Sequence, residues 1–256
     1  MSSASAHALR IARQHLETTR LLGVDFVPIA GESNPSLAAP TSAPESVNAH
    51  ITEVKPHPRA EDAAPGSKAH RLLALRTRYE AEAKVPKLIK GWNRIVFGDG
   101  SPDARLMFIG EAPGADEDAQ GIPFVGRAGQ KLNEMIGAMG LTRESVYIAN
   151  ILKVRPPDNR TPTPEEAQLD GPYLIEQIEI IAPEVIVTLG KPAAHFILNS
   201  TDSMSNLRGR WAEFRGIPVM PTFHPAYLLR AYTPENRKKV WSDLQEAMHR
   251  LALPGS

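Results

Sequence analysis

The chain has 256 residues, with 29 basic side chains balanced by 29 acidic ones and no cysteine. That length supports one large domain or two small ones, and the missing cysteine excludes disulfides, thiolate metal sites and cysteine nucleophiles. Balanced charge means that a nucleic-acid partner must be met by a local patch, and the lack of a long apolar run or a signal pattern predicts a cytoplasmic protein without membrane attachment.

In chain order, Leu9, Ile11, Ala12, Leu16, Leu21 and Leu22 recur at near-helical spacing. They predict an amphipathic helix within residues 1–27, a docking element for a protein partner. Residues 28–68 shift to Pro, Ala, Ser and Glu and read as a disordered linker. A compact domain is expected over 69–256, opening with a helix at Ala69–Ala83 that carries Leu72, Leu73, Leu75 and Tyr79. Strands are predicted at Leu106–Ile109, Val146–Ile151 and Val185–Leu189, alternating with helices at Gly129–Met139, Pro164–Ile181 and Pro192–Leu198. Such alternation implies a mostly parallel sheet covered on both faces. Pro164 followed by Glu165 and Glu166 marks a helix start, with proline in the first turn and acids at the positive end of the dipole. Trp211–Phe214 and Val219–Phe223 read as strands around a turn at Gly216-Ile217-Pro218, and a final helix runs from Pro234 to Leu251.

Ligands of open α/β sheets collect beyond the carboxyl ends of the strands, and several polar residues fall there. The first predicted strand delivers Gly110-Glu111-Ala112-Pro113-Gly114, where Glu111 alone has acid–base capacity. Phe124 lies between Gly121 and Gly126, as a packing residue or as a platform for a base. Asn150 ends an apolar strand, as a structural amide or as a donor–acceptor pair matched to an amide-like heterocycle. His224 heads a loop, Pro225-Ala226-Tyr227-Leu228-Leu229-Arg230, with two exposed-looking leucines and an arginine. Gly190-Lys191 lacks P-loop spacing, but a glycine entering a helix can still hold one phosphate through backbone N–H groups. Asp116-Glu117-Asp118 reads as a solvated charge run, with a hard-cation site as the alternative. His195 and His249 have no partner at helical spacing and suggest no zinc site.

Five segments, Gly110–Asp118, Pro123–Gly129, Tyr147–Asn150, Lys153–Pro157 and His224–Ala226, together resemble the family 4 uracil-DNA glycosylases, in order and spacing, from about Val96 to Leu251. The resemblance implies a three-layer α/β/α fold with a central four-stranded, mostly parallel sheet, and hydrolysis of the N-glycosidic bond of uracil in DNA. It implies Glu111 as the residue that activates or positions water, beside Gly110 and Ala112. It further implies Phe124 stacking on the flipped base, Asn150 reading its edge and His224 stabilising it as it departs. Gly190, Lys191, Pro225, Leu228, Leu229 and Arg230 are the expected DNA contacts, the two leucines as wedges in the vacated stack. Arg208, Arg210, Arg237, Lys238 and Lys239 extend the basic surface. The expected partner is uracil-containing DNA, bound by a monomer.

Members of that family typically hold a 4Fe–4S cluster through four cysteines. Two lie upstream of the first strand, one in a Lys-Cys-Arg-Pro-Pro segment and one in the following helix. This chain has Ala83–Pro86, Val154 and Asp170 at those places, so no cluster, no other cofactor and no metal are expected. Contacts around Val85, Leu88 and Val154 are expected to replace it. Ala112 stands where better-known members of the superfamily carry an aspartate, which implies slower chemistry. The relatives that capture DNA covalently have a basic insertion after the asparagine strand; Arg155–Arg160 here runs directly into Thr161-Pro162-Thr163-Pro164, which favours turnover. Two rival readings remain: a domain that binds uracil or damaged DNA with little catalysis, and a metal-dependent phosphohydrolase built on Asp116, Glu117 and Asp118.

Overall fold

The computed structural model describes residues 64–253, so the helix expected within residues 1–27 and the linker up to residue 63 lie outside the described residues. The chain enters through α1 (Lys68–Glu82), capped by the Ser67 hydroxyl, and a short α2 (Val85–Leu88). Then follow β1 (Asp99–Gly100), β2 (Leu106–Gly110), α3 (Ala115–Gln120), α4 (Arg127–Ala138) and β3 (Tyr147–Asn150). The second half holds α5 (Pro164–Ile181), β4 (Val185–Leu189), α6 (Lys191–Leu198), α7 (Met204–Leu207), β5 (Ala212–Phe214), β6 (Ile217–Thr222), α8 (Pro225–Arg230) and α9 (Pro234–Arg250).

The six strands form one sheet in the order β1-β3-β2-β4-β6-β5. Its four central strands are parallel, as expected, and β1 and β5 add a short antiparallel strand at each edge. β2 and β4 are buried along their whole length, which is why both read as continuous apolar runs rather than alternating ones. Side chains on successive residues still point to opposite faces. Met107 and Ile109 enter the core beneath α1, α5 and α6. Leu106 and Phe108 enter the core beneath α4 and α9. The result is the three-layer arrangement that the alternation implies. Among the described residues no helix is long and apolar enough to cross a membrane.

Local chemistry sets the element ends. α5 begins at a reciprocal cap, in which the Thr163 hydroxyl accepts from Glu166 N at 3.2 Å and the Glu166 carboxylate accepts from Thr163 N at 2.8 Å. The β5–β6 turn falls at Arg215-Gly216, both with positive φ (52° and 82°), one residue before the predicted place. A two-residue turn of that hand matches strand twist, whereas Pro218 sits inside β6.

Candidate active site

The parallel register brings the loops together. Gly110 at the end of β2 pairs with Asn150 at the end of β3, and Gly190 after β4 donates its N–H to Thr222 O at the end of β6. Glu111, Asn150, Lys191 and His224 therefore leave adjacent strands at one edge of the sheet. They line a cavity of about 730 Å3 together with Ala112, Phe124, Gly190 and Arg230. Two glycines permit the close approach. A Cβ on Gly110 would lie 2.3 Å from Asn150 Oδ1 and 2.6 Å from the Phe124 ring, and one on Gly190, where φ is +89°, would lie 2.9 Å from His224 Cβ.

Phe124 adopts φ 53°, a conformation that non-glycine residues rarely hold without support. The support is specific. Arg143 donates to the carbonyls of Pro123 and Phe124 while its Nε bonds Asp99 at 2.7 Å. On the other side the Glu117 carboxylate accepts from Val125 N and Gly126 N, both at 2.9 Å, and from Gly114 N at 3.1 Å. Glu117 thus staples the loop that carries Glu111 to the loop that carries Phe124. The Phe124 ring lies 5.6 Å from the His224 ring, inclined by 33°.

His224 caps α8, and its Nδ1 accepts from Ala226 N at 3.1 Å. Because Nδ1 is the acceptor, the proton of the neutral ring resides on Nε2. Burial, with a contribution from the Arg230 charge, lowers its pKa to about 4, so the ring is neutral at pH 7. Burial also raises the Glu111 carboxyl above its ordinary value, against a hydrogen bond with Thr161. Asn150 is 1% exposed and its Oδ1 has no hydrogen-bond partner within the protein. A buried amide oxygen left open in a cavity wall is costly unless a ligand donor meets it.

Several expectations need correction. Leu228 is 2% exposed, in the core with α4 and α9, and cannot wedge into DNA from there; Pro225 is buried in the first turn of α8. Leu229 is half-buried and Arg230 exposed. Arg208 is committed to Asp243 and to Lys239 O. Glu117 is a loop staple, and Asp118 is buried and accepts from Asn93 N, Asn93 Nδ2 and Arg94 N at 2.7, 2.6 and 3.2 Å, so neither is a solvated charge or a free cation ligand. Sequence reasoning gave Glu117 the role of a solvated charge or cation ligand rather than a loop staple, and it did not single out Arg143, Thr161 or Met204. The only signal was the position of Glu117 three residues after Gly114, the spacing of a capping box.

Comparison with known proteins bears directly on this edge of the sheet. A model of the Uracil DNA glycosylase superfamily matches residues 97–245. The chain belongs to that superfamily. It is 48% identical over 155 residues to the type-4 uracil-DNA glycosylase of Thermotoga maritima, covering 60% of this chain and 81% of the relative. It is 46% identical over 159 residues to the type-4 enzyme of Archaeoglobus fulgidus, covering 58% and 78%. Similarity extends to the type-5 uracil-DNA glycosylase of Thermus thermophilus, at 31% over 144 residues, covering 50% and 65%. The matched span holds every strand of the sheet and all of the cavity residues named above.

The residues at the family's cluster positions do not fit a thiolate-held cluster. Ala83, Val85 and Val154 are buried apolar side chains in one core. Asp170 is fully buried, and its Oδ2 accepts from Tyr79 Oη at 2.9 Å and Lys153 N at 3.0 Å. Leu88, expected to share in the replacement, is 57% exposed and takes no part in that core.

Proposed function

We propose that this uracil-DNA glycosylase superfamily member releases uracil from DNA by hydrolysing the N-glycosidic bond and leaving an abasic site. One observation carries the reading: a buried amide oxygen, Asn150 Oδ1, is left without a partner in a cavity walled by the Phe124 and His224 rings. Uracil presents an N3–H beside two carbonyls. Its N3–H satisfies Asn150 Oδ1, and the amide nitrogen of Asn150 reaches the neighbouring O4. Cytosine carries an acceptor at N3, which would face that oxygen and leave it unsatisfied, and such mismatches discriminate strongly in a buried site. Phe124 supplies the stacking face.

As the bond between C1′ and N1 breaks, its electron pair passes to the base and positive charge builds on the sugar. The neutral His224 donates Nε2–H to the developing uracilate oxygen, a role worth roughly 3 kcal/mol for one well-placed donor. Glu111 holds the attacking water, favours the cationic sugar and receives the proton as the water oxygen bonds C1′. Ala112 offers no second carboxylate, so the step is slower than with two acids.

The target base must leave the duplex, at a few kcal/mol, to reach the cavity. Uracil-containing DNA is the partner in this reading, taken up by a monomer in the cytoplasm, and no cofactor is required. Lys191 and Arg230 at the cavity edge meet phosphates, with the Gly190 backbone beside them. Leu229 remains as the wedge from its loop. The direct test is incubation with a uracil-containing oligonucleotide followed by alkali. Strand scission at the uracil position is expected, and an intact strand would refute the reading.

A further inference from the structure

A buried lysine stands behind Asn150, bonded to its carbonyl and not among the residues that line the cavity. Lys153 is fully buried, and each of its polar groups has a defined partner. Its N–H donates to Asp170 Oδ2 at 3.0 Å, and its carbonyl accepts from Val96 N at 2.7 Å. Its ammonium donates to Asn150 O and to Gln177 Oε1, both at 2.6 Å, and lies 5.7 Å from the centre of the Phe97 ring. Gln177 in turn donates to Phe97 O at 2.9 Å, and Tyr79 donates to Asp170. Burial pulls the Lys153 ammonium down and the Asp170 carboxyl up from their ordinary ranges.

This chain of bonds joins α1 through Tyr79, the segment before β2 through Val96 and Phe97, the loop after β3 through Lys153, and α5 through Asp170 and Gln177. The loop after β3 and α5 are where the resembled family carries its third and fourth cluster cysteines, and α1 ends at Glu82, just before the place of the first two. The brace reaches the reaction by a short route. Ile151 N and Leu152 N donate to Gly110 O and Glu111 O, at 3.1 and 3.2 Å, so the two residues between Asn150 and Lys153 also hold the Glu111 loop. A short, charge-assisted bond to the Asn150 carbonyl fixes the backbone from which the Asn150 side chain projects.

We propose that Lys153 is a positioning residue for Asn150, and that the Tyr79–Asp170–Lys153–Gln177 network cross-links, without iron, the segments that present the base-reading amide. This rests on Asn150 being the uracil reader. A buried lysine that served only packing would be better replaced by an apolar side chain of similar volume. The use for its charge is the main-chain oxygen of the residue that must not move.

The test is a double-mutant cycle on single-turnover uracil release, using Lys153→Met, Asn150→Ala and the pair, each below its own melting temperature. Lys153→Met is expected to slow release about tenfold, and Asn150→Ala to cost about tenfold less in that background than in the wild type. Leu244→Ala, which destabilises from the opposite layer, should multiply independently with Asn150→Ala. Independent multiplication by Lys153→Met as well, or a wild-type rate for it, would overturn the positioning role. A wild-type rate for Asn150→Ala would instead remove Asn150 from the mechanism and so sink the proposed function. Should Lys153→Met fail to fold, the wild-type protein decides: NMR should detect scalar coupling across the hydrogen bond between Lys153 15Nζ and the Asn150 carbonyl 13C, and its absence would contradict the proposal.

Discussion

The two faces of Asn150 differ in how their polar groups are met. On the cavity side the side-chain oxygen has no partner; on the far side the main-chain carbonyl receives a lysine ammonium at 2.6 Å. The cavity side is left open for a ligand, and the far side is satisfied within the protein, with Asp170 Oδ1 the exception among the network's side chains. Binding specificity needs the first condition and a fixed geometry needs the second, since a polar pocket whose supports moved would lose its selectivity. The protein obtains the second condition from a buried polar network where its relatives are expected to use a metal cluster.

The largest effects should come from breaking the open side. His224→Ala is expected to lower the single-turnover rate of uracil release about 100- to 1,000-fold, the scale of losing one oxyanion donor, with the protein still folded by circular dichroism. A rate within a few-fold of wild type would take His224 out of the mechanism. Breaking the supported side should act on stability first. Asp170→Ala leaves the Lys153 charge buried without its nearest acid and should reduce unfolding free energy by about 3 kcal/mol in chemical denaturation. An unchanged denaturation midpoint would mean that the network bears no weight.

Glu117 spans both loops of the cavity, so it sharpens the contrast. Glu117→Gln keeps one acceptor oxygen and loses the other, and should cost about 1–2 kcal/mol while raising KM for uracil-containing DNA. Equal stability and KM in wild type and variant would show that the amides find other acceptors.

The remaining effects are those of pH. The folded value for His224, about 4, lies below its ordinary value of 6.5, so the unfolded chain takes up the proton first as the solution is acidified. Its contribution to stability is complete above pH 6.5 and is lost as pH falls through that window towards 4. Glu111 is shifted upwards by burial, so the acid limb of the rate profile should lie above the ordinary carboxylate range and should vanish in Glu111→Gln. A limb unchanged in that variant would assign it to another group.

Much of this molecule is legible in its sequence. β2 and β4 are central strands because a segment buried on both faces must be apolar throughout, and Leu106–Ile109 and Val185–Leu189 are. Glu111, Asn150 and His224 stand out because each is a polar residue immediately after or at the end of such a run. Lys153 does not, since a lysine between Leu152 and Val154 reads as a solvent-facing side chain and its partners lie 17 and 24 residues away. Arg143 is hidden for the same reason, its targets Pro123 and Phe124 being about 20 residues earlier. The Leu228-Leu229 pair shows the opposite error. Two leucines in a loop look exposed, yet helix formation at Pro225–Arg230 turns Leu228 into the core. The linker expected over residues 28–68 from composition and the helix expected within residues 1–27 from apolar spacing lie outside the described residues, apart from residues 64–68, which lead into and begin α1.

The most direct measurement is single-turnover release of uracil from an oligonucleotide, with the iron content of the same protein sample determined by elemental analysis. The account predicts release by protein carrying far less than one iron per chain, undiminished after exhaustive chelation. Release that required a stoichiometric iron cluster, or no release at all from folded protein, would contradict it.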